Sequence, residues 1–175
     1  LRWYEPARGL RRLSCRDFNA CGATRAHGED HRPETHIIPL LLATAQGRRD
    51  VFRLFGTDRA TPDGTCVRDY VHVVDIARAH LLALGRIDAV DSGAFNLGLG
   101  RGHSNREVIA AVERVTGRTL PVVDAPRRPG DPDTLIADPA KARRVLGWEP
   151  RFPDLETMVA TAWEWRQEHP EGYSS

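Results

Sequence analysis

"YVHVVDIARAHLLALGR", residues 70–86, places a strand pattern directly before a helix pattern. The β-branched run of residues 70–74 predicts an extended segment. Asp75 then stands where a side-chain oxygen caps the first turn of a helix. One side of that helix is predicted to be apolar and is formed by Ile76, Ala77, Ala79, Leu81, Leu82 and Leu84. A strand that leads straight into an amphipathic helix is typical of α/β proteins.

The same alternation continues on both sides of this stretch. Further strands are predicted at residues 13–18, 51–55, 94–98 and 120–124. Further helices are predicted at residues 36–46 with Thr35 as the cap, after the capping box of Ser104 and Glu107, after Asp138, and after Asp154. Strands and helices therefore alternate along the chain, and the predicted fold class is α/β.

Composition limits the classes of function. The 175 residues are enough for one domain with a buried core, or at most two compact units. Because 25 basic and 24 acidic side chains are mixed along the chain, we expect no nucleic-acid or membrane partner. No apolar run approaches the roughly 20 residues of a membrane span. Cys15, Cys21 and Cys66 are an odd number without CxxC spacing, which favours a reducing, cytoplasmic compartment over disulfides or a thiolate metal site.

Two patterns imitate ligand sites without the full motif. Gly98, Gly100 and Gly102 follow a predicted strand, but their G-x-G-x-G spacing differs from the dinucleotide-binding G-x-G-x-x-G. We expect a tight structural turn there. The segment HGEDHRPETH, residues 27–36, offers metal-ligand types in a loop that nothing preorganises: His27, Glu29, Asp30, His31, Glu34 and His36. We predict a lid, a specificity loop or a solvated turn, and no metal site.

Several arginines occupy turn regions that suit an anion. Arg68 follows the turn DGT, and Arg127 and Arg128 lie in APRRPGD, which ends at Asp131. A guanidinium can bind two phosphate oxygens at once, and a Pro-bounded loop loses little entropy on binding. The pattern alone leaves phosphate binding and surface ion pairs both open. No complete catalytic motif is present, since Arg8 cannot supply the lysine of a Tyr-x-x-x-Lys pair with Tyr4.

Taken together, several segments resemble the UDP-glucose 4-epimerases, an NAD-dependent family of the extended short-chain dehydrogenase/reductase superfamily. They are RDFNACGA, ETHIIPLLL, LFGTD, TPDGTCVRDYVHVVDIARAH, FNLGLGRGHS, APRRPGD and TAWEWRQEHPEGY. The likeness covers nearly all 175 residues in the family's order. DGTCVRDYVHV and HPEGY are specific to this family, whereas NLG and PRRPGD occur more widely among nucleotide-sugar epimerases and dehydratases.

The resemblance implies a partial fold and a reaction. The chain is expected to be the carboxyl-terminal half, with residues 1–22 and 91–103 as the last strands of a Rossmann-like NAD-binding sheet. Residues 23–90 and 104–175 are expected to form the smaller UDP-sugar-binding domain. The family's Gly-rich βαβ unit and its catalytic Ser/Thr, Tyr and Lys would lie upstream of Leu1. In this family a Tyr removes the 4-hydroxyl proton while hydride passes from C4 to NAD, and hydride then returns to the other face of the keto sugar.

UDP-galactose and UDP-glucose are the implied substrates, NAD the implied cofactor and a homodimer the implied assembly of the intact protein. The half chain is expected to be inactive alone. Two alternatives remain open. One is another nucleotide-sugar epimerase or dehydratase, and the other is a non-catalytic fragment that binds UDP-sugars.

The resemblance also assigns the site residues. Arg68 and Arg128 would grip the diphosphate, Asp131 the ribose, and Phe55 would lie beside the uracil. The remaining expected positions are Asn19, His36 and Ile37 at the sugar nucleotide, Leu135 at the wall of the hexose pocket, and Phe18 at the nicotinamide end of NAD.

Two further expectations concern the neighbours of these residues. Tyr70, His72 and Asp75 would brace the corner that aims Arg68. Asp17 replaces the family's usual Tyr and would place a carboxylate near the nicotinamide pocket.

Overall fold

The structure, a computed structural model, describes residues 3–173. Its strands are β1 (Leu13–Asp17), β2 (Asn19–Cys21), β3 (Phe52–Phe55), β4 (Val67–Arg68), β5 (Tyr70–His72), β6 (Gly93–Leu97), β7 (His103–Ser104), β8 (Val122–Ala125) and β9 (Thr134–Leu135). Its helices are α1 (Tyr4–Arg8), α2 (Ile37–Ala45), α3 (Val73–Gly85), α4 (Asn105–Thr116) and α5 (Leu155–Glu168), with a π-helical turn at Ala142–Leu146. The α/β class is confirmed, and each predicted strand and helix has a counterpart within a few residues.

Most strand pairs are parallel, as crossover connections through helices require. β1 pairs with β6, β2 with β5, and β3 with β8, all in parallel. β4 lies between β9, which is parallel to it, and β7, which is antiparallel. In this small sheet Arg68 lies opposite Leu135, while in the β2–β5 pair Asn19 lies opposite Tyr70. The pairing therefore gathers residues that are far apart in the sequence at one side of the molecule.

Two apolar clusters form the core. The larger one joins α2, α4 and α5 to β3 and includes Leu41, Val112 and Met158, all of which are nearly inaccessible. The smaller one packs α3 and the π-helical turn against β6, with Phe95 and Trp148 fully buried. Residues from both expected domains thus share the smaller cluster, and the domain boundaries stay a prediction.

The junction between β5 and α3 differs from the expected one. Asp75 was predicted to cap the helix, but α3 begins three residues earlier than that cap implies, and its cap is His72, whose Nδ1 accepts from the Val74 amide at 3.1 Å. Asp75 is fully buried and accepts hydrogen bonds from the amides of Arg151 and Phe152, at 2.9 Å. Asp75 also pairs with Arg78 within α3, at 3.1 Å. Its amide partners lie in a distant loop, so a local capping rule could not have found them.

We call Asp69, His72 and Asp75 together the buried corner. Two further sets of contacts complete it. Asp69 is fully buried and accepts from the amides of Leu99, Gly100 and Ala137 at 2.8 to 3.1 Å. His72 stacks on Phe152 with ring centroids 4.4 Å apart. Each carboxylate of the corner therefore has several hydrogen bonds from backbone amides, which is what a buried charge needs.

Two other local predictions were wrong. Thr35 does not cap α2, because the helix begins after His36, and the Glu34 carboxylate instead accepts from the amides of Thr35 and His36. Leu81 and Leu84 were predicted to be on the packed side of α3, but both side chains are about two-thirds exposed, at 69% and 68%. Ala77 is exposed as well. The core contacts of α3 are made by the predicted Ile76, Ala79 and Leu82, together with Ala83.

The remaining caps agree with the sequence. Ser104 and Glu107 form the reciprocal capping box of α4, and Gly117 ends that helix in the left-handed conformation. Asp154 caps α5 by accepting from the Thr157 amide. None of the helices in residues 3–173 is long and apolar enough to cross a membrane.

After α5 the chain turns back along residues 24–34, in a segment that we call the strap (residues 169–173). The Tyr173 hydroxyl accepts from the Gly28 amide and donates to the Gly28 carbonyl, both at 2.9 Å. The Tyr173 amide donates to Asp30 at 3.0 Å, and Arg32 donates to the Glu171 carbonyl at 2.9 Å. The strap thus holds the loop that the sequence left without an anchor.

Candidate functional site

A cleft of about 750 Å³ opens where β2, β4 and the start of α2 meet. It is lined by the predicted residues Phe18, Asn19, His36, Ile37, Arg68 and Leu135. A second hollow of about 250 Å³ shares Thr35 and Ile37 with the cleft and is lined by Phe55, Arg128 and Asp131. The two hollows therefore adjoin, and all nine residues assigned by resemblance line one or the other.

The adjoining hollows offer a ligand different side chains. The second hollow brings an aromatic ring, an arginine and an aspartate together beside β3. The larger cleft has an amide side chain at Asn19 and an apolar wall at Leu135, which is 47% exposed. Ile37 borders both spaces, so the first turn of α2 marks the passage between them.

Three charged residues form what we call the charged rim: Arg68, Arg128 and Asp131. Arg68 is held by strand β4 and forms an ion pair with the Asp131 carboxylate. Its guanidinium also donates to the carbonyls of Val67 at 2.8 Å and Pro132 at 2.7 Å. The Arg128 guanidinium lies over the Phe55 ring, 4.0 Å from its centroid, in a cation–π contact. An arriving anion can replace the contacts with Asp131 and Phe55, because these two partners are side chains that line the second hollow.

Sequence reasoning missed Arg59, which supports the rim from behind. Its side chain is only 2% exposed, and it donates to the Asp131 carbonyl at 2.6 Å and to the Asp133 carboxylate at 2.8 Å. A second guanidinium nitrogen lies 3.4 Å from Asp131 Oδ2. Nothing in the local pattern DRATPDG separates this buried arginine from an exposed one, since its partners follow more than 70 residues later.

Arg127 behaves differently from its neighbour in the same loop. It forms an ion pair with Asp58 at 2.7 Å, and both side chains are well exposed. Because its guanidinium faces Asp58, it does not line the hollow beside Phe55. Of the two readings left open by the sequence, Arg127 fits the surface ion pair, whereas Arg68 and Arg128 lie where an anion could reach them.

Two amides of the Gly-rich turn at residues 98–102 are already occupied by a buried carboxylate. The Asp69 carboxylate accepts from the amides of Leu99 and Gly100. A Cβ on Gly98 would lie 2.5 Å from the Ala137 Cβ, and one on Gly102 would lie 2.3 Å from Val67. These glycines are required by close packing within the protein, in agreement with the structural reading of the turn.

The loop before α2 gathers ionisable groups beside the cleft. His36 Nδ1 lies 2.7 Å from Glu29 Oε1 and 2.9 Å from Glu34 Oε1, and the His31 ring is centred 5.5 Å from that of His36. Burial, followed by the charge of Glu34, raises the pKa of Glu29. Donor atoms of His31, Glu34 and His36 lie within 4.8 Å of one another, although the absence of a metal site stays a prediction.

Few of the described residues fit a dinucleotide. Phe18 lines the cleft at the end of β1, next to Asp17, whose exposed carboxylate also faces the cleft. The one Gly-rich turn is closed by Asp69, and within residues 3–173 Tyr4 and Arg8 of α1 do not contribute to the cleft. Of the residues that line the cleft, Phe18 is the one that the resemblance assigns to NAD.

The family model described as GDP-mannose 4,6 dehydratase matches residues 1–161. The chain belongs to this family. Curated relatives of the chain include a UDP-glucose 4-epimerase from Halalkalibacterium halodurans. It is 51% identical over 99% of this chain and 53% of the relative. A second, from Lacticaseibacillus casei, is 49% identical over the same shares. The chain spans about half the length of the curated relatives it matches.

A solved structure agrees with this placement in the GDP-mannose 4,6 dehydratase family. The crystal structure of a UDP-glucose 4-epimerase from Bifidobacterium longum, in complex with NAD⁺ and UDP, superposes with a TM-score of 0.92. It is 36% identical and is matched over 98% of this chain and 52% of that one. The resemblance to UDP-glucose 4-epimerases that the sequence motifs indicated is confirmed.

Proposed function

We propose that this chain is the substrate-binding half of a UDP-glucose 4-epimerase. The observation that carries the proposal is the pair of adjoining hollows, in which Arg68, Arg128 and Asp131 surround a space bordered by Phe55. In support, the chain is about 50% identical to curated UDP-glucose 4-epimerases over nearly its whole length.

The residues divide the ligand between them. Phe55 packs beside the uracil, Asp131 accepts from ribose hydroxyls, and Arg68 and Arg128 bind the diphosphate by charge-assisted hydrogen bonds. Because Arg59 holds Asp131 in place, the aspartate keeps its position when Arg68 turns to the ligand. Asn19 and Leu135 lie at the hexose, with His36 and Ile37 at the passage between sugar and nucleotide.

The whole protein would interconvert UDP-galactose and UDP-glucose and act as a homodimer. NAD is the proposed cofactor, since related epimerases are solved with it, and it would accept and return the hydride at C4. The residues of this chain would anchor the nucleotide and leave the hexose loosely held, which a sugar that must turn over requires. Phe18 is the one position assigned toward the nicotinamide.

A second candidate is a related nucleotide-sugar enzyme that acts on another base or sugar. The description of the matching family, GDP-mannose 4,6 dehydratase, favours it. The two candidates differ in the base that the hollow beside Phe55 must accept. A purine is larger than uracil, so the choice is open to a direct binding comparison.

The experiment is calorimetric titration of the chain with UDP-glucose and, in parallel, with GDP-mannose. We expect saturable binding of UDP-glucose and at least about tenfold weaker binding of GDP-mannose, the scale of shape discrimination in a pocket. The chain should not interconvert UDP-galactose and UDP-glucose, because it has no Tyr-x-x-x-Lys pair. Tighter binding of GDP-mannose would select the second candidate, and binding of neither ligand would overturn the proposal.

A further inference from the structure

The His36 ring at the mouth of the cleft is held by one of its two nitrogens. Nδ1 lies within hydrogen-bond distance of both Glu29 and Glu34, at 2.7 and 2.9 Å. A carboxylate accepts and cannot donate, so the proton of this contact belongs to Nδ1. Nε2, on the opposite edge of the ring, is the nitrogen left for the cleft that His36 lines.

The anchor of the ring is itself fixed to the backbone. Glu34 Oε1 accepts from the amides of Thr35 and His36 at 2.7 Å each, and its side chain is only 15% exposed. This carboxylate therefore sits on the first amides before α2 whether or not a ligand is bound. A ring tied to such a carboxylate loses little freedom when a ligand arrives.

The charged groups around His36 leave its neutral ring unable to donate a hydrogen bond from Nε2 to an anion. Glu29 and Glu34 face it from the loop, where Arg32 pairs with Asp30, and the His31 ring lies beside it. From the other elements of the cleft come Asp17, His27 and Arg68. With Nδ1 already a donor, the Nε2 of a neutral ring is an acceptor and repels a phosphate oxygen. A second ring proton turns Nε2 into a donor, and the two carboxylates balance the added charge.

We propose that Glu29 and Glu34 are positioning residues that orient His36 and balance its charge, so that Nε2 donates a hydrogen bond to the diphosphate of the bound nucleotide sugar. The inference rests on the proposed function. It goes further by stating that a proton is taken up with the ligand and binds at His36 Nε2. Nothing is oxidised or cleaved, and solvent supplies the proton.

The test is calorimetric titration of the chain with UDP-glucose at about pH 7.5, in two buffers whose ionisation enthalpies differ. The diphosphate of a nucleotide sugar is a diester and does not titrate near this pH, so buffer-dependent heat reports protons taken up by the protein. We expect net uptake by the unaltered chain and much less by His36→Ala. Glu29→Gln and Glu34→Gln should each lower uptake and weaken binding about threefold to tenfold, as for a weakened charge-assisted hydrogen bond.

Asp17→Asn is the matched control. It removes one negative charge from the same cleft but leaves His36 untouched, so it should not weaken binding and should keep the proton uptake. If the two glutamates acted only by repelling the anion, Glu29→Gln would tighten binding as Asp17→Asn can. Melting temperatures identify any variant that fails to fold, and Glu29→Gln is expected to fold because it removes a partly buried charge.

The outcomes separate the two proposals. Failure of the unaltered chain to bind UDP-glucose overturns the proposed function, and the inference with it. Binding with no buffer dependence of the heat overturns only the inference. So does unchanged or tighter binding by both glutamine variants.

Discussion

Arg68 and Asp69 are neighbours in the sequence, yet they belong to two regions with opposite electrostatic designs. In the buried corner, Asp69 is fully inaccessible and is bound by backbone amides that cannot leave. In the charged rim, Arg68 is paired with the side chain of Asp131 at the edge of a cleft. Asp69 is bound by the backbone alone, whereas Arg68 has, beside the carbonyls of Val67 and Pro132, one side-chain partner that a ligand can replace.

This difference separates scaffold from site more clearly than residue type does. A buried carboxylate with several amide donors is costly to remove, because the donors would then be left unpaired. An ion pair between two side chains at the rim leaves fewer groups unpaired when it is broken in the free protein, but its loss is expected to be costly to the bound state. Stability measurements should therefore respond to the corner, and binding measurements to the rim.

The largest expected effect comes from breaking the corner at Asp75. Asp75→Ala leaves the amides of Arg151 and Phe152 and the guanidinium of Arg78 without their fully buried acceptor, and should lower the free energy of unfolding by about 3 to 5 kcal/mol. Urea unfolding followed by circular dichroism measures it. Glu156→Ala, which removes an exposed ion pair with Arg114, should cost at most about 1 kcal/mol. Equal losses in the two variants would show that burial does not distinguish the corner.

The next effect should appear in binding and not in stability. Arg68→Ala is expected to weaken UDP binding by about 1.5 to 3 kcal/mol, the range for a hydrogen bond to a charged group. Arg128→Ala should behave in the same way. Arg127→Ala is the matched control from the same loop, since its partner is Asp58. Calorimetric titration with UDP decides the matter, and an Arg68 variant with unchanged affinity would remove that residue from the site.

A smaller effect concerns the uncharged wall of the cleft, beside the rim. Leu135 is half exposed in the cleft and has no hydroxyl, so it can select a sugar only by shape, which discriminates by about 1 to 3 kcal/mol. In the whole protein, Leu135→Tyr should reduce kcat/KM for UDP-N-acetylglucosamine more than for UDP-galactose. Equal losses on the two sugars would place Leu135 away from the C2 substituent.

The smallest effect is a pH dependence to which His72 of the corner should contribute. Burial lowers the pKa of His72 below the value of about 6.5 in an unfolded chain. The unfolded state therefore takes up the proton first as the pH falls. The stability present above about pH 6.5 is lost as the pH falls toward the folded-state value. Unfolding free energies at about pH 7.5 and pH 5.5 should differ less in His72→Gln than in the unaltered chain, and an equal slope would contradict this account.

Local signals in the sequence predicted local structure well. The capping box at Ser104 and Glu107 and the cap at Asp154 involve partners three residues away, and both are confirmed. Asp75 satisfied the same capping rule but serves amides 76 and 77 residues later. A rule that sees only the first turn of a helix cannot weigh a partner from another loop, so the more distant contact was missed.

The site shows the same limit. The resemblance assigned nine residues that line the two hollows, but it did not point to Arg59 or to the glutamates that hold His36. These support contacts depend on how loops fold back over one another. The exposure of Leu81 and Leu84 could not be predicted either. Helical periodicity shows that α3 has an apolar stripe, but it does not show which of its residues are covered by other elements.

The strap has a consequence for rates. The Gly28 amide is protected by Tyr173, and the Tyr173 amide by Asp30, so neither hydrogen can exchange with solvent until both segments separate. Hydrogen-exchange mass spectrometry should find residues 24–34 and 169–173 opening as one unit, and independent exchange of the two would disprove the coupling. If they open together, the rate at which the loop opens for a ligand depends on its contacts with Tyr173, which lies 145 positions after Gly28 in the chain.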